Sequence, residues 1–324
     1  MKVAILGPGA YGLSLAEMFN KNNCQITMWS KFTDEIKELD ELRISKKLPN
    51  YKIPKNIKFT TDMEECVTGA DLIVIAVPAG HVDTVSLELK NHYQSNQHLC
   101  IASKGIEQDT CLFVHDVVSK YIKTKKLAVI SGPSFAIDIV SGYPIGLSLG
   151  TTNASTEKIL KETLQNDRLK LRTSNDITGI EICGSIKNVI AIAAGMLDGL
   201  GANESTQAMF ITESLHDIKG LIKALGGDKK TILSFAGFGD LLLTCTSTKS
   251  RNFTYGHLIG SKKSKKEIAK YIKSTTIEGL YTLESIYELI NNKKVDMPII
   301  DLIYDIIFKN KNPEHLLKFL IEKE

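Results

Sequence analysis

An excess of charge of either sign is missing from this chain. Lysine and arginine number 40 against 37 acidic side chains, a formal net charge of +3. That balance gives no electrostatic case for nucleic acid or a membrane surface as partner. The one basic run, Ser261–Lys266, sits in polar sequence and reads as a solvated helix start. Cysteines are few and scattered at 24, 66, 100, 111, 183 and 245. No two form a CxxC and no histidines cluster with them, so no metal site is expected. Sparse, unpaired cysteines in a chain of this size predict reduced thiols and a cytoplasmic protein. The apolar run at the amino terminus is too short for a secretory leader before the glycines begin. The longest apolar stretch, Ile186–Leu197, is too short to cross a bilayer, so no membrane insertion is expected. Internal repeats and low-complexity tracts are absent. What remains is 324 residues, 43% hydrophobic and 24% charged. That is an ordinary globular composition, long enough for two domains or one large one.

Lys2–Leu6 reads as a buried parallel strand. Gly7-Pro8-Gly9-Ala10-Tyr11-Gly12 follows at once, and a helical pattern of Leu13, Leu15, Ala16, Met18 and Phe19 comes next. A GxGxxG string between strand and helix is the context a dinucleotide site requires. Its glycines permit a tight turn and let a pyrophosphate approach the backbone and the helix N-terminus. The second strand, Gln25–Trp29, ends at Ser30 and Lys31. An acid at this point would bind a ribose 2′-hydroxyl, whereas a basic residue suits a 2′-phosphate. The first acid, Asp34, falls in the next helix. Ser30 can hydrogen-bond a phosphate and Lys31 can neutralise it, which predicts NADPH over NADH; the alternative for Lys31 is an ordinary surface lysine.

Asn50–Thr60, with Pro49 and Pro54, reads as a loop leading to a short strand. Asp71–Val77, His98–Ala102 and Leu127–Ile130 read as further strands. Ligands of open α/β sheets bind beyond the carboxyl ends of strands. Lys104, just past His98–Ala102, is therefore a candidate phosphate or carbonyl contact, against the plainer reading of a solvated loop lysine. Ser134, in the Gly132-Pro133-Ser134 string, can cap the following helix or touch a ligand. Ile145–Leu149 and Leu169–Leu171 look like the last strands, the final one at an edge. Beyond Asp176 strand patterns stop, which divides the chain into 1–176 and 177–324.

The second part is helical, and its centre is Glu181–Gly201. From Ile186 to Leu197 this stretch is apolar or small on every side except Lys187 and Asn188. A helix apolar all round is a buried helix, and lysine is almost never buried without a partner. Gly184, Lys187, Ala191 and Ala194 share one face, so small neighbours leave room for a ligand at the ammonium. The alternative is a structural lysine whose head reaches water. Further on, Asp240 follows two glycine turns, and Ser250-Arg251-Asn252 offers a hydroxyl, a guanidinium fork and an amide. Arginine suits phosphate because its fork can bind two oxygens; the same tripeptide can equally be a helix cap beside a surface arginine. Lys273–Glu288, Pro298–Phe308 and Leu316–Ile321 read as the closing helices. His81, His216 and His257 fit no acid–nucleophile pattern.

Together these strings resemble the bacterial-type NAD(P)-dependent glycerol-3-phosphate dehydrogenases. They are GPGAYG, SKGIE at Ser103–Glu107, GPSFA at Gly132–Ala136, EICGSIKNVIAIAAGMLDGLG at Glu181–Gly201, FAGFGDLLLTCTSTKSRN at Phe235–Asn252, and IEG at Ile277–Gly279. The resemblance covers nearly the whole chain. It implies an α/β Rossmann domain with a mostly parallel, doubly wound sheet, followed by an all-α substrate domain. It implies reduction of dihydroxyacetone phosphate to sn-glycerol 3-phosphate, supply of phospholipid synthesis, and a homodimer. Matched onto this chain, Lys187 is the catalytic lysine and Lys104 contacts cofactor and substrate. Gly132, Ser134, Asp240, Ser250, Arg251 and Asn252 match substrate contacts. Gly7, Gly9, Ala10, Tyr11, Gly12, Ser30, Lys31, Ala136, Arg251 and Glu278 fall on the cofactor side. The family usually has serine at Ala10, an arginine near Ser30 or Lys31, an arginine at Glu213 and asparagine at Ser205. In the chemistry this implies, Lys187 protonates the ketone oxygen in reduction, and Asp240 orients it or holds the substrate hydroxyl. Arg251 and Asn252 clamp the phosphate. Two other readings stay open: a Rossmann dehydrogenase of another small keto or hydroxy substrate, and a non-catalytic NADPH-binding sensor.

Overall fold

The computed structural model describes residues 1–108 and 110–323. It divides into two compact units, one of residues 1–104 and 114–177, the other of residues 105–113 and 178–324.

The first unit is built on ten strands: β1 (Lys2–Leu6), β2 (Gln25–Trp29), β3 (Ile44–Ser45), β4 (Leu48–Lys52), β5 (Lys58–Thr60), β6 (Leu72–Ile75), β7 (His98–Ile101), β8 (Leu127–Ser131), β9 (Ile145–Gly150) and β10 (Leu169–Ser174). Eight form one sheet in the order β10-β9-β8-β7-β6-β1-β2-β5. All pairs are parallel except β8–β9. Helices cover both faces of such a sheet, which is why β1, β6, β7 and β8 read as unbroken apolar runs rather than alternating ones. β10 is an edge strand. The order reverses between β1 and β6, and the crevice at such a reversal is where doubly wound sheets bind ligands. The loop after β1 opens on it.

Residues 50–52, expected within a loop, instead belong to β4. It pairs antiparallel with β3 around a turn at Lys46–Lys47, because Ser45 pairs with Leu48. Pro49 and Asn50 hide the strand in the sequence. Leu48 and Tyr51 still bury, and Asn50 takes a left-handed φ of 66°.

The second unit is helical. Its long helix Ile177–Gly199 is long and apolar enough to cross a membrane by length and composition, which the apolar run alone did not suggest; its apolar window is 100% buried inside the protein. Helix Arg251–Gly260 lies against it through glycines. A Cβ on Gly256 would sit 1.8 Å from the Ile192 carbonyl oxygen, and one on Gly195 2.0 Å from that of Phe253. Only glycine lets the two backbones approach so closely.

Three expectations change here. Lys273–Glu288 is not one helix but the end of Lys265–Ser274 and the start of Glu278–Lys293. Thr275 between them is extended at φ −143°, ψ 124°, a conformation that suits a β-branched residue. Asp240 follows a π-helical turn, Phe235–Gly239, rather than two glycine turns, and begins helix Asp240–Cys245. Residues 105–113 fold with the second unit although they precede residue 176. Ile106 bridges Phe113 antiparallel, and Gln108 donates to Glu284 Oε2 at 3.4 Å. Glu213 gains an account as well: its carboxylate pairs with Lys323 at 3.2 Å, tying helix Glu204–Ala224 to the residue that caps the last helix, His315–Glu322.

Candidate active site

In the first unit the glycine loop has the shape a dinucleotide needs. Gly7 has a φ of 110°, and a Cβ there would meet Val77 at 2.9 Å. A Cβ on Gly12 would lie 2.0 Å from the Gly7 carbonyl oxygen. Gly9 differs: a Cβ there would meet nothing within 4 Å. The cradle is open where a pyrophosphate would approach, and it faces the N-terminus of helix Ala10–Lys21. Ala10 brings no side-chain donor, and this helix has no side-chain cap.

Tyr11, Lys104, Gly132 and Ser134 come together beyond β1, β7 and β8. The Lys104 ammonium donates to the Gly132 carbonyl oxygen at 3.3 Å and lies 5.7 Å from the centre of the Tyr11 ring. Ser134 Oγ donates to the same carbonyl at 2.9 Å and lies 3.3 Å from the Tyr11 hydroxyl. Ser134 does not cap the next helix. Phe135 holds that position with no side-chain bond, and Ala136 begins the helix Ala136–Ser141.

Ser30 and Lys31 stand at the end of β2, but the strand end does not lack an acid. Helix Thr33–Leu42 returns Glu35 to it: Ser30 Oγ donates to Glu35 Oε2 at 2.7 Å and accepts from the Phe32 amide at 3.3 Å. The sequence placed the first acid, Asp34, in the next helix without showing that this helix carries Glu35 back.

In the second unit Lys187 is buried, and its ammonium donates to Asp240 Oδ1 at 2.5 Å and to Thr244 Oγ1 at 3.2 Å. Thr244 in turn donates to the Asp240 carbonyl oxygen at 2.6 Å. An ammonium out of water needs such a partner. The π-helical turn aims the first turn of helix Asp240–Cys245 so that Asp240 and Thr244, four residues apart, share the face turned to Lys187. That spacing is the signal by which Thr244 could have been found. Beside them, burial pushes the Cys245 thiol up, against the lowering by the Lys187 ammonium.

Asn188, next along the same helix, meets a second cluster. Asn252 Nδ2 donates to Asn188 Oδ1 at 3.0 Å, and Asn252 Oδ1 accepts from the Gly279 amide at 2.9 Å. Asn188 Nδ2 donates to Glu278 Oε2 at 3.4 Å, and Arg251 lies 3.7 Å from Glu278 Oε1. Ser250 is the N-cap of helix Arg251–Gly260, accepting from the Phe253 amide at 3.2 Å. Arg251 stays exposed while Asn252 is buried. The sequence marked Asn188 as a buried amide but gave it no task; its partners are more than 60 residues away. His257, which fits no acid–nucleophile pattern, hydrogen-bonds Asp198 at 2.6 Å on the surface. Among the described residues no group of three or more His, Cys, Asp or Glu is arranged to hold a metal ion.

A Rossmann unit with an open phosphate cradle and a helical unit with a buried lysine–aspartate pair define a nicotinamide-dependent oxidoreductase. The profile of the NAD-dependent glycerol-3-phosphate dehydrogenase N-terminus matches residues 2–157, and that of its C-terminus residues 176–318. The glycerol-3-phosphate dehydrogenase [NAD(P)+] of Thermoanaerobacter sp. strain X514 is 37% identical over 100% of this chain and 98% of its own length. That of Fusobacterium nucleatum is 34% identical over 100% and 97%. The crystal structure of glycerol-3-phosphate dehydrogenase from Coxiella burnetii superposes with a TM-score of 0.93 at 31% identity, covering 99% of each chain. The chain belongs to the NAD-dependent glycerol-3-phosphate dehydrogenase family, and it is an NAD(P)-dependent oxidoreductase.

Proposed function

We propose that this protein reduces dihydroxyacetone phosphate to sn-glycerol 3-phosphate, reversibly, with NADPH preferred over NADH and with Lys187 as the acid. The observation that carries the reading is the buried Lys187–Asp240–Thr244 set in a chain of this family. Residues 1–176 hold the dinucleotide through Gly7, Gly9, Ala10, Tyr11 and Gly12, with Ser30 and Lys31 at the ribose, and residues 177–324 bring the acid and the phosphate clamp. Lys104, Ala136, Arg251 and Glu278 complete the cofactor contacts. The nicotinamide supplies the hydride. As the ketone carbon is reduced, negative charge grows on its oxygen; the Lys187 ammonium stabilises that charge and hands over a proton. Asp240 and Thr244 fix the direction of the ammonium. In the reverse direction Lys187 takes the proton from the alcohol. Arg251 and Asn252 clamp the substrate phosphate, with Ser250 holding their helix start in place. Lys104, Gly132 and Ser134 contact the carbonyl end of the substrate. The NADPH preference is supported by Lys31, whose ammonium is exposed beside the Phe32 ring.

The family suggests a homodimer, and six free, buried cysteines favour a reducing cytoplasm. The test is oxidation of NADPH by purified protein with dihydroxyacetone phosphate, beside NADH and beside unphosphorylated dihydroxyacetone. We expect rapid turnover that needs the phosphate and is faster with NADPH at low cofactor concentration. Folded protein that binds NADPH without turning over would point instead to a sensor or to another substrate.

A further inference from the structure

The end of β2 carries a charge arrangement that its own residues do not announce. The Ser30 hydroxyl donates its proton to Glu35 and accepts from the Phe32 amide. The other Glu35 oxygen, Oε1, takes the Lys47 ammonium at 2.5 Å. Lys47 lies on the turn between β3 and β4, and that hairpin is held by more than Glu35: Leu48 and Tyr51 are buried, and the Tyr51 hydroxyl donates to Glu17 Oε2 at 2.7 Å. The Glu35 side chain is 21% exposed and that of Lys47 60% exposed, so the ammonium remains open to a ligand while its anchor is largely covered. Neighbouring cations are engaged differently. Arg43 donates to the Ile57 carbonyl at 2.6 Å and to Asp40 at 2.5 Å, and Lys46 pairs with Glu38 at 3.0 Å.

We propose that Lys47, held at the end of β2 by Glu35, is a specificity-determining residue that binds the ribose 2′-phosphate of the cofactor together with Lys31. The inference rests on the NADPH reading above. An acid at this strand end ordinarily accepts the ribose hydroxyls and repels a phosphate. Glu35 already accepts from Ser30 on one oxygen and from Lys47 on the other. Its charge is offset by Lys47, and the exposed Lys31 follows Ser30 directly in the chain, so two lysines stand near this strand end. A 2′-phosphate takes charge-assisted hydrogen bonds from such groups, whereas a 2′-hydroxyl gains nothing from the second cation.

Equilibrium binding to the full-length protein, by calorimetry with 2′,5′-ADP and with ADP, isolates this contact from turnover. One charge-assisted contact corresponds to about tenfold in affinity. Wild type is expected to favour 2′,5′-ADP. Lys47→Gln should weaken 2′,5′-ADP by about tenfold and ADP by less than about twofold, and Lys47→Arg should keep most of the preference. An equal loss of both ligands in Lys47→Gln would make Lys47 a structural residue and overturn the inference. Full retention of the 2′,5′-ADP preference in Lys47→Gln would overturn it too, while leaving the NADPH reading intact. A wild type that binds the two ligands alike would overturn the NADPH reading and this inference with it.

Discussion

Replacing Lys187 with alanine removes one half of an ion pair from which water is nearly excluded. The side chains of Lys187 and Asp240 are 10% and 2% exposed, and they meet at 2.5 Å. Without Lys187, the buried Asp240 carboxylate loses the ammonium that meets it at 2.5 Å. Breaking a buried pair in this way costs about 3–5 kcal/mol, against a total stability of about 5–15 kcal/mol for a folded domain. Lys187→Ala should therefore lower the guanidinium unfolding midpoint sharply. Removing both charges should not: the double variant Lys187→Met/Asp240→Leu fills similar volume with apolar groups, and its stability should return to within about 2 kcal/mol of wild type or exceed it. Turnover separates the two roles. Both variants should lose about 10²–10⁴-fold in kcat with dihydroxyacetone phosphate, the range supplied by a positioned acid. The assays are far-UV circular dichroism against guanidinium and steady-state oxidation of NADPH, on the same preparations. A double variant as unstable as the single one would refute the buried-pair argument. A double variant that folds and turns over at the wild-type rate would refute Lys187 as the acid.

Arg251→Ala should raise the KM for dihydroxyacetone phosphate by about 10–100-fold, since an arginine–phosphate contact contributes about 1.5–3 kcal/mol; an unchanged KM removes Arg251 from the phosphate clamp. Gly256→Ala should destabilise the helical unit by about 1–3 kcal/mol or more, because the new methyl meets the Ile192 carbonyl oxygen; an unfolding midpoint equal to wild type would show that the two helices can separate freely. His98 is buried with Nδ1 2.8 Å from Thr156 Oγ1, and burial, then the Lys126 charge, holds its imidazole below the ordinary value of 6.5. The unfolded chain therefore binds a proton at a pH where the folded chain does not. Stability should be full above about pH 7 and fall as the pH drops through 6.5 toward the lower folded value. His98→Asn should flatten that slope, measured as the unfolding midpoint between about pH 5 and 8.

Much of this protein was decided by local sequence. Strands buried on both faces, such as Val3–Leu6 and Leu72–Ile75, are continuous apolar runs, and the glycine string after the first of them has only one common use. The helix around Lys187 was legible because a lysine in an otherwise apolar stretch is physically anomalous. Matching strings along the chain then carried the family.

Tertiary structure decided what side chains meet. The sequence named Asp34 as the first acid after β2, and only the return of that helix onto β2 brings Glu35 to Ser30. Lys47 lies on the turn just before β4, a strand that Pro49 and the left-handed Asn50 disguise. Asn188 was visible as a buried amide, yet its partners Asn252 and Glu278 arrive from helices 64 and 90 positions away in the sequence. Periodicity reports which face of an element is buried. It does not report which distant polar atom will satisfy a buried donor, because that pairing is fixed only when the elements pack.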